Sequence, residues 1–203
     1  MPGAIFNELQ EHFSATAGSV TGIGAIFMYT YAISQLVVGL LVDRFSGARV
    51  MAWGGLVLCG GSLLSAVAPS LWLLYVARFM VGFGAASIYL SITKETSRIY
   101  PNSFAMMLGF VMVGGYLGGV MGNAPFIAGV QMMGWQQALL LVGGIATLIY
   151  LAYAGLKCTL PMPEVVQTAK FDYHRFFEVL KVRQNIHILV CGGFPFGLYF
   201  AIQ

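Results

Sequence analysis

Five stretches of about 20 residues carry almost no charge, and this decides what the chain can fold into. They run from about Val20 to Val42, Val50 to Ala68, Leu71 to Thr93, Phe104 to Val130 and Trp135 to Leu156. A sixth, from about Ile186 to Gln203, stops with the chain. A run of this length matches the hydrocarbon thickness of a bilayer. Each should be a helix, because an open strand in lipid leaves backbone N–H and C=O groups unpaired. Barrel strands would alternate in character over roughly 10 residues, and these runs do not. Composition agrees: 59% of residues are apolar and 8% are charged, whereas a soluble domain carries about 25% charged residues. The expected fold class is an all-α membrane protein with five full transmembrane helices and a truncated sixth.

The charges that remain sit between the runs. Arg44 and Arg49 separate the first two, and Lys94 and Arg98 the third and fourth. Lys157, Lys170, Arg175, Lys181 and Arg183 lie between the fifth and sixth. The alternate connections, Pro69-Ser70 and Gln131 to Gly134, carry no Lys or Arg. The positive-inside rule therefore places loops 43–49, 94–103 and 157–185 in the cytoplasm and Met1 outside. The first run is not a signal peptide, since no basic segment precedes it and Glu8 and Glu11 do. Residues 1–19 read as an extracytoplasmic segment ending in a loop, Ser14 to Ser19. Within 157–185, Tyr173, Phe176, Phe177 and Leu180 recur at helical spacing among charges, the pattern of an amphipathic interfacial helix.

Three groups of residues carry chemistry. The first is Gly39-Leu-Leu-Val-Asp43-Arg44-Phe-Ser-Gly47-Ala-Arg49. Gly39 would let another helix approach closely. Asp43 would meet the positive N-terminal end of a facing helix, and Arg44 and Arg49 would pair with an acid such as Glu95. Such a cluster can latch one packing arrangement and release another; a plain cytoplasmic anchor is the alternative. The second is Arg78, roughly 10 Å into its span by helical rise. A charge there costs about 2.5–3.5 kcal/mol on insertion scales, so it should face a watery cavity or a partner group. Snorkelling to the interface is the competing explanation. The third is the glycine run of the fourth span. Gly114, Gly118 and Gly122 step by four, as do Gly115 and Gly119, which makes a flat face suited to helix packing. Pro125, just beyond, frees a backbone carbonyl that can serve as a hinge.

These motifs in combination resemble those of the major facilitator superfamily (MFS). Gly39, Leu41, Asp43 and Arg44 match its signature loop, Gly-x-Leu-x-Asp-Arg-x-Gly-Arg-Arg, which then departs at Ser46 and Ala48 and retains only Arg49. Arg78 with Gly82, Gly84 and Ala85 resembles the fourth-helix motif Arg-x-x-x-Gly-x-Gly-Ala. The glycine run, Pro125 and Gly134-Trp135 resemble the fifth helix and its turn into the sixth. Gly197 to Gln203 looks like the start of the seventh. The resemblance implies a secondary transporter of a small solute working by alternating access, ion- or proton-coupled, with an organic anion or zwitterion as substrate. It implies that Arg78 faces the central cavity and takes part in coupling or anion binding, with Tyr29, Tyr31, Gln35 and Tyr89 as further cavity residues. Gly39, Asp43, Arg44, Arg49 and Glu95 would form the cytoplasmic gate. Gly82 joins the helix-packing set. It also implies that residues 20–156 are five helices of the first bundle, that 157–185 link the bundles, and that 186–203 begin the second. The family's first helix would be absent, and the remaining helices of a parent transporter would be partners. The rival expectation is a non-transporting membrane protein: a scaffold, a partner subunit or an inactive truncated product.

Other chemistry is not signalled. There is no phosphate-binding loop, no His-Glu-x-x-His and no Gly-x-Ser-x-Gly elbow. Cys59, Cys158 and Cys191, like His12, His174 and His187, lack metal-ligand spacing. The net charge of +3 comes with no basic stripe. No enzyme activity, cofactor, metal or nucleic acid is expected; the expected partners are the lipid bilayer and a small molecule with its coupling proton or cation, and the expected location is the cell (inner) membrane.

Overall fold

The computed structural model describes residues 5–122 and 124–159, which are helical apart from short connections. The order is α1 (Phe6–His12), α2 (Ala17–Arg44), α3 (Gly47–Ala66), α4 (Leu71–Ile99), α5 (Phe104–Met121), α6 (Ala124–Met133) and α7 (Trp135–Thr159). A single 3₁₀ turn, Pro101–Ser103, joins α4 to α5. Five stretches are long and apolar enough to cross a membrane: α2, α3, α4, the α5–α6 pair and α7. The expected amphipathic helix in 157–185 and the expected sixth span lie outside the described residues.

Several boundaries differ from expectation. The Ser14–Ser19 stretch is not all loop: Thr16 caps α2, its hydroxyl accepting from the Ser19 N–H at 3.3 Å, and helix begins at Ala17. At its other end α2 runs through Asp43 and Arg44, leaving only Phe45 and Ser46 between helices. Likewise α4 does not stop at Thr93 but continues to Ile99, so Lys94, Glu95 and Arg98 stand on a helix rather than in a loop. Its 29 residues span about 44 Å, longer than the ~30 Å hydrocarbon core, and the excess carries the charged turns clear of lipid. In the fourth span α5 ends at Met121 and α6 begins at Ala124, with Pro125 in the first turn of α6, where its missing N–H costs no helical bond. Gly134, at φ +86°, makes the turn into α7.

Packing centres on α4, which lies against both α2 and α3, while α7 lies against α3. Glycine sets the α3–α4 approach. A Cβ on Gly84 would stand 2.6 Å from the Gly54 carbonyl oxygen and 2.7 Å from Leu58 Cβ, and one on Gly61 2.9 Å from the Ala77 carbonyl oxygen. Gly82 does the same toward α2, 2.9 Å from the Phe27 carbonyl oxygen. At Gly55 the tight neighbour is the Tyr150 ring of α7, whose hydroxyl donates to the Ala52 carbonyl at 2.9 Å. Buried side chains form two apolar clusters. One, at the uncharged end, gathers Ile5, Leu9, Val20, Ile23, Leu74, Phe126, Val130 and Trp135. The other, Val38, Val42 and Val50, lies beside the charged turns.

The glycine face of α5 meets no neighbour among the described residues. Nothing among the described residues comes within 4 Å of a Cβ on Gly114, Gly115, Gly118 or Gly119, and Pro125 is exposed. The close contacts that small residues permit are made on α3 and α4 instead. We expect Gly84→Leu to destabilise this chain by about 1–3 kcal/mol or more through overpacking. Gly118→Ala should be neutral or stabilising by up to about 1 kcal/mol through helix propensity. Thermal unfolding in detergent checks the pair; equal losses would contradict the packing described.

Candidate functional site

Two polar regions break the apolar bundle. The first is at the charged end, where α2 ends, α3 begins and α4 runs past both. Lys94 Nζ pairs with Asp43 Oδ1 at 3.0 Å and also donates to the Val42 carbonyl, an otherwise unfilled acceptor in the last turn of α2. A cation over a helix C-terminus also meets the negative end of its dipole. Asp43 therefore faces a lysine, not the N-terminus of a helix as expected. That N-terminus, at Gly47, is met by Glu95 instead: a Cβ on Gly47 would stand 2.8 Å from Glu95 Oε1. An acid is favourable there for the same dipole reason. Glu95 is bridged by Arg98 of its own helix, Nη2 to Oε2 at 2.7 Å and Nε to Oε2 at 2.8 Å. Arg44 does not join Glu95 but lies over the Phe45 ring, 5.6 Å from its centroid. Arg49 is exposed on the first turn of α3. Gly39 brings no helix close, since nothing lies within 4 Å of where its Cβ would be. Asp43, Ser46, Gly47, Lys94, Glu95, Ser97 and Arg98 line one shallow polar cleft.

A third span that ends at Thr93 puts Lys94 and Arg98 in a loop, where the sequence assigns them no partner. Asp43 and Lys94 are on neighbouring helix ends, and continuing the helical register of α4 past Thr93 would have suggested the contact.

The second region is Arg78, on the side of α4 that carries Leu74 and Gly82. It is 8% exposed, and Nε and Nη2 are buried with no hydrogen-bond partner. A fully snorkelled head group would be exposed, and two of its three nitrogens are not. Ser91, further along α4, is likewise buried with an unpartnered hydroxyl. Tyr31 has Gln35 as its hydrogen-bond partner, and Tyr89 of α4 is close enough to interact with it electrostatically. Tyr89 stands 11 residues beyond Arg78 on α4, about 16 Å nearer the charged end by helical rise. The Tyr31–Gln35–Tyr89 group and Arg78 are thus at different depths. Tyr29 is 70% exposed and joins neither.

Helices of this length and apolarity, charged at alternate connections, define an integral, multi-pass, all-α membrane protein, with one cation among the described residues, Arg78, buried at membrane depth. Residues 1–202 match the family model of the Major Facilitator Superfamily, and the chain belongs to that superfamily. Similar proteins include monocarboxylate transporter 9 of Gallus gallus, 25% identical over 94% of this chain and 39% of the relative. Probable anion transporter 4, chloroplastic, of Arabidopsis thaliana is 27% identical over 84% of this chain and 33% of the relative. The probable sugar efflux transporter of Helicobacter pylori (strain G27) is 26% identical over 79% and 41%. The chain spans about a third to two fifths of the length of these relatives. Among the described residues there is no cluster of His, Cys, Asp and Glu that could hold a metal ion.

The two regions make different energetic predictions. The Asp43–Lys94 pair is 71% and 32% exposed, so its coupling in a double-mutant cycle should fall below about 1 kcal/mol and shrink further in high salt. Arg78→Met should stabilise the chain by about 1–3 kcal/mol, because it removes buried donors that have no acceptor. Thermal unfolding of both variants in detergent tests this; a destabilised Arg78→Met would mean that the guanidinium has a structural partner.

Proposed function

We propose that this chain forms part of the first helical bundle of a secondary transporter that moves a small anionic or zwitterionic solute by alternating access. Residues 20–156 are the bundle helices, 1–19 cap it from outside, 157–185 form a cytoplasmic connection and 186–203 begin a second bundle. The charged end faces the cytoplasm and the membrane is the cell membrane. The rest of the transporter, a solute and a coupling proton or cation are its partners.

One observation carries the reading. A guanidinium deep in a bilayer is costly, and an unpartnered one is costlier still, so its retention is best explained by a ligand that repays the cost when bound. Arg matches a carboxylate or phosphate through two parallel N–H···O bonds. Two of the three relatives described above carry monocarboxylate or anion in their names, which agrees with such a ligand. Tyr31, Gln35 and Tyr89 supply neutral hydrogen-bonding groups on the same two helices, nearer the cytoplasm. The Asp43–Lys94 pair and the Glu95 contact at Gly47 join the cytoplasmic ends of α2, α3 and α4. Weak exposed pairs suit a latch that must open in every cycle, because neither position is strongly favoured.

Uptake of radiolabelled organic anions by the complete transporter containing this chain is the direct test. Arg78→Ala should lower uptake by about ten- to a hundredfold, since a hydrogen bond to a charged group is worth roughly 1.5–3 kcal/mol. Arg78→Lys should retain more than Arg78→Ala but less than the parent. Unchanged uptake in Arg78→Ala would remove the residue from the mechanism, and uptake of neutral sugars alone would replace the anion with a sugar.

A further inference from the structure

The short helix α1 lies over the uncharged end of the bundle. Its Ile5 N-cap residue and its Leu9 are fully buried, and Phe6 and Phe13 pack beside them. The cluster they enter draws on Val20 and Ile23 of α2, Ala66 of α3, Leu74 of α4, Phe126 and Val130 of α6 and the start of α7. This seven-residue helix packs chiefly against α2 and reaches Trp135 at the start of α7 through its aromatic rim, and it joins the apolar cluster that runs on through the other helices. Leu74, the floor of this seat, is one helical turn from Arg78. The rim is aromatic: His12 and Phe13 meet Trp135 with ring centroids 5.3 Å and 6.0 Å apart.

Two features oppose this apolar seat. Glu8, between the two buried anchors, has its Oε2 atom buried with no hydrogen-bond partner. A carboxylate oxygen in that position loses its water and gains nothing. The connection to α2 is also strained: Ser14 has φ +48°, the one described residue other than glycine in the left-handed region. Apolar burial therefore holds α1 down, while Glu8 and the Ser14 turn favour its release.

We propose that α1 is a lid over the non-cytoplasmic mouth, closed by Ile5 and Leu9, hinged at Ser14 and kept openable by Glu8. Closed, it blocks the approach to Arg78 from that end. Lifted, it returns Glu8 to water and exposes the Leu74 floor. The gating direction rests on the reading of Arg78 as the ligand-facing cation; the existence of the lid does not.

The test reads lid opening without transport. The chain, with Cys59→Ala, Cys158→Ala and Cys191→Ala, is placed in nanodiscs, where both faces meet solvent, and Ile5→Cys is labelled with a charged maleimide. Glu8→Gln should slow labelling, and Glu8→Leu should slow it further, to about a tenth of the starting rate. Glu11→Gln, which removes an exposed carboxylate of the same helix, should leave the rate unchanged. Trp135→Ala should raise it. Ile5→Cys labelling as fast as Glu11→Cys, or an equal effect of Glu8→Gln and Glu11→Gln, would overturn the lid. Loss of anion uptake in Arg78→Ala bears only on the ligand reading, so the two fail separately.

Discussion

Hydrocarbon accepts neither an unpaired backbone amide nor an unpaired charge. The first half of that constraint makes every crossing segment of this chain helical. The second half gathers Asp43, Arg44, Arg49, Lys94, Glu95 and Arg98 at one end of the bundle, where α2, α3 and α4 meet. There the long α4 carries Lys94, Glu95 and Arg98 beyond the apolar slab to meet the ends of its neighbours. Lys94 closes the C-terminus of α2 and Glu95 faces the N-terminus of α3, each with the sign that the helix dipole prefers.

Arg78 is where the constraint is broken. The α3–α4 contact is drawn tight by Gly54, Gly61 and Gly84, and the α2–α4 contact by Gly82. Close packing on both sides holds α4 rigidly, so the guanidinium is kept in a place it would not choose. Its Nε and Nη2 donors are left unmet, and the proposed ligand is what would meet them. The same logic applies to Glu8 at the uncharged end, where apolar neighbours hold down a helix that carries an acid. In both places strong packing sustains a local conflict, and such conflicts are where change of state is cheapest.

Much of this was legible in the sequence. Uncharged runs mark the five crossings found among the described residues, and the alternation of basic and uncharged connections separates the two ends. Arg78 was conspicuous by depth alone. Its lack of a partner was not, because pairing depends on what neighbouring helices bring, and spacing within one helix does not report that. The ends were less legible. Hydropathy stops a span where charge begins, yet backbone hydrogen bonding carries α4 on to Ile99 and α2 back to Ala17. A span ended by hydropathy therefore puts Lys94 in a loop and hides its pairing with Asp43. The lid was missed for a different reason: Ile5, Leu9 and Phe13 do recur four apart, but Glu8, Glu11 and His12 among them masked the stripe. The glycine face of α5 had the pattern of a contact and has none among the described residues, since small residues permit close approach without creating it.

The central claim is that the position of Arg78 opens to water and to an anion during the working cycle of the protein. The most direct measurement places Arg78→Cys, in the background without native cysteines, under a membrane-impermeant anionic thiosulfonate in nanodiscs. The account predicts that this thiol is modified, at a rate comparable to that of an exposed position. A thiol at position 78 that stays unreacted while Glu11→Cys is modified completely would contradict it.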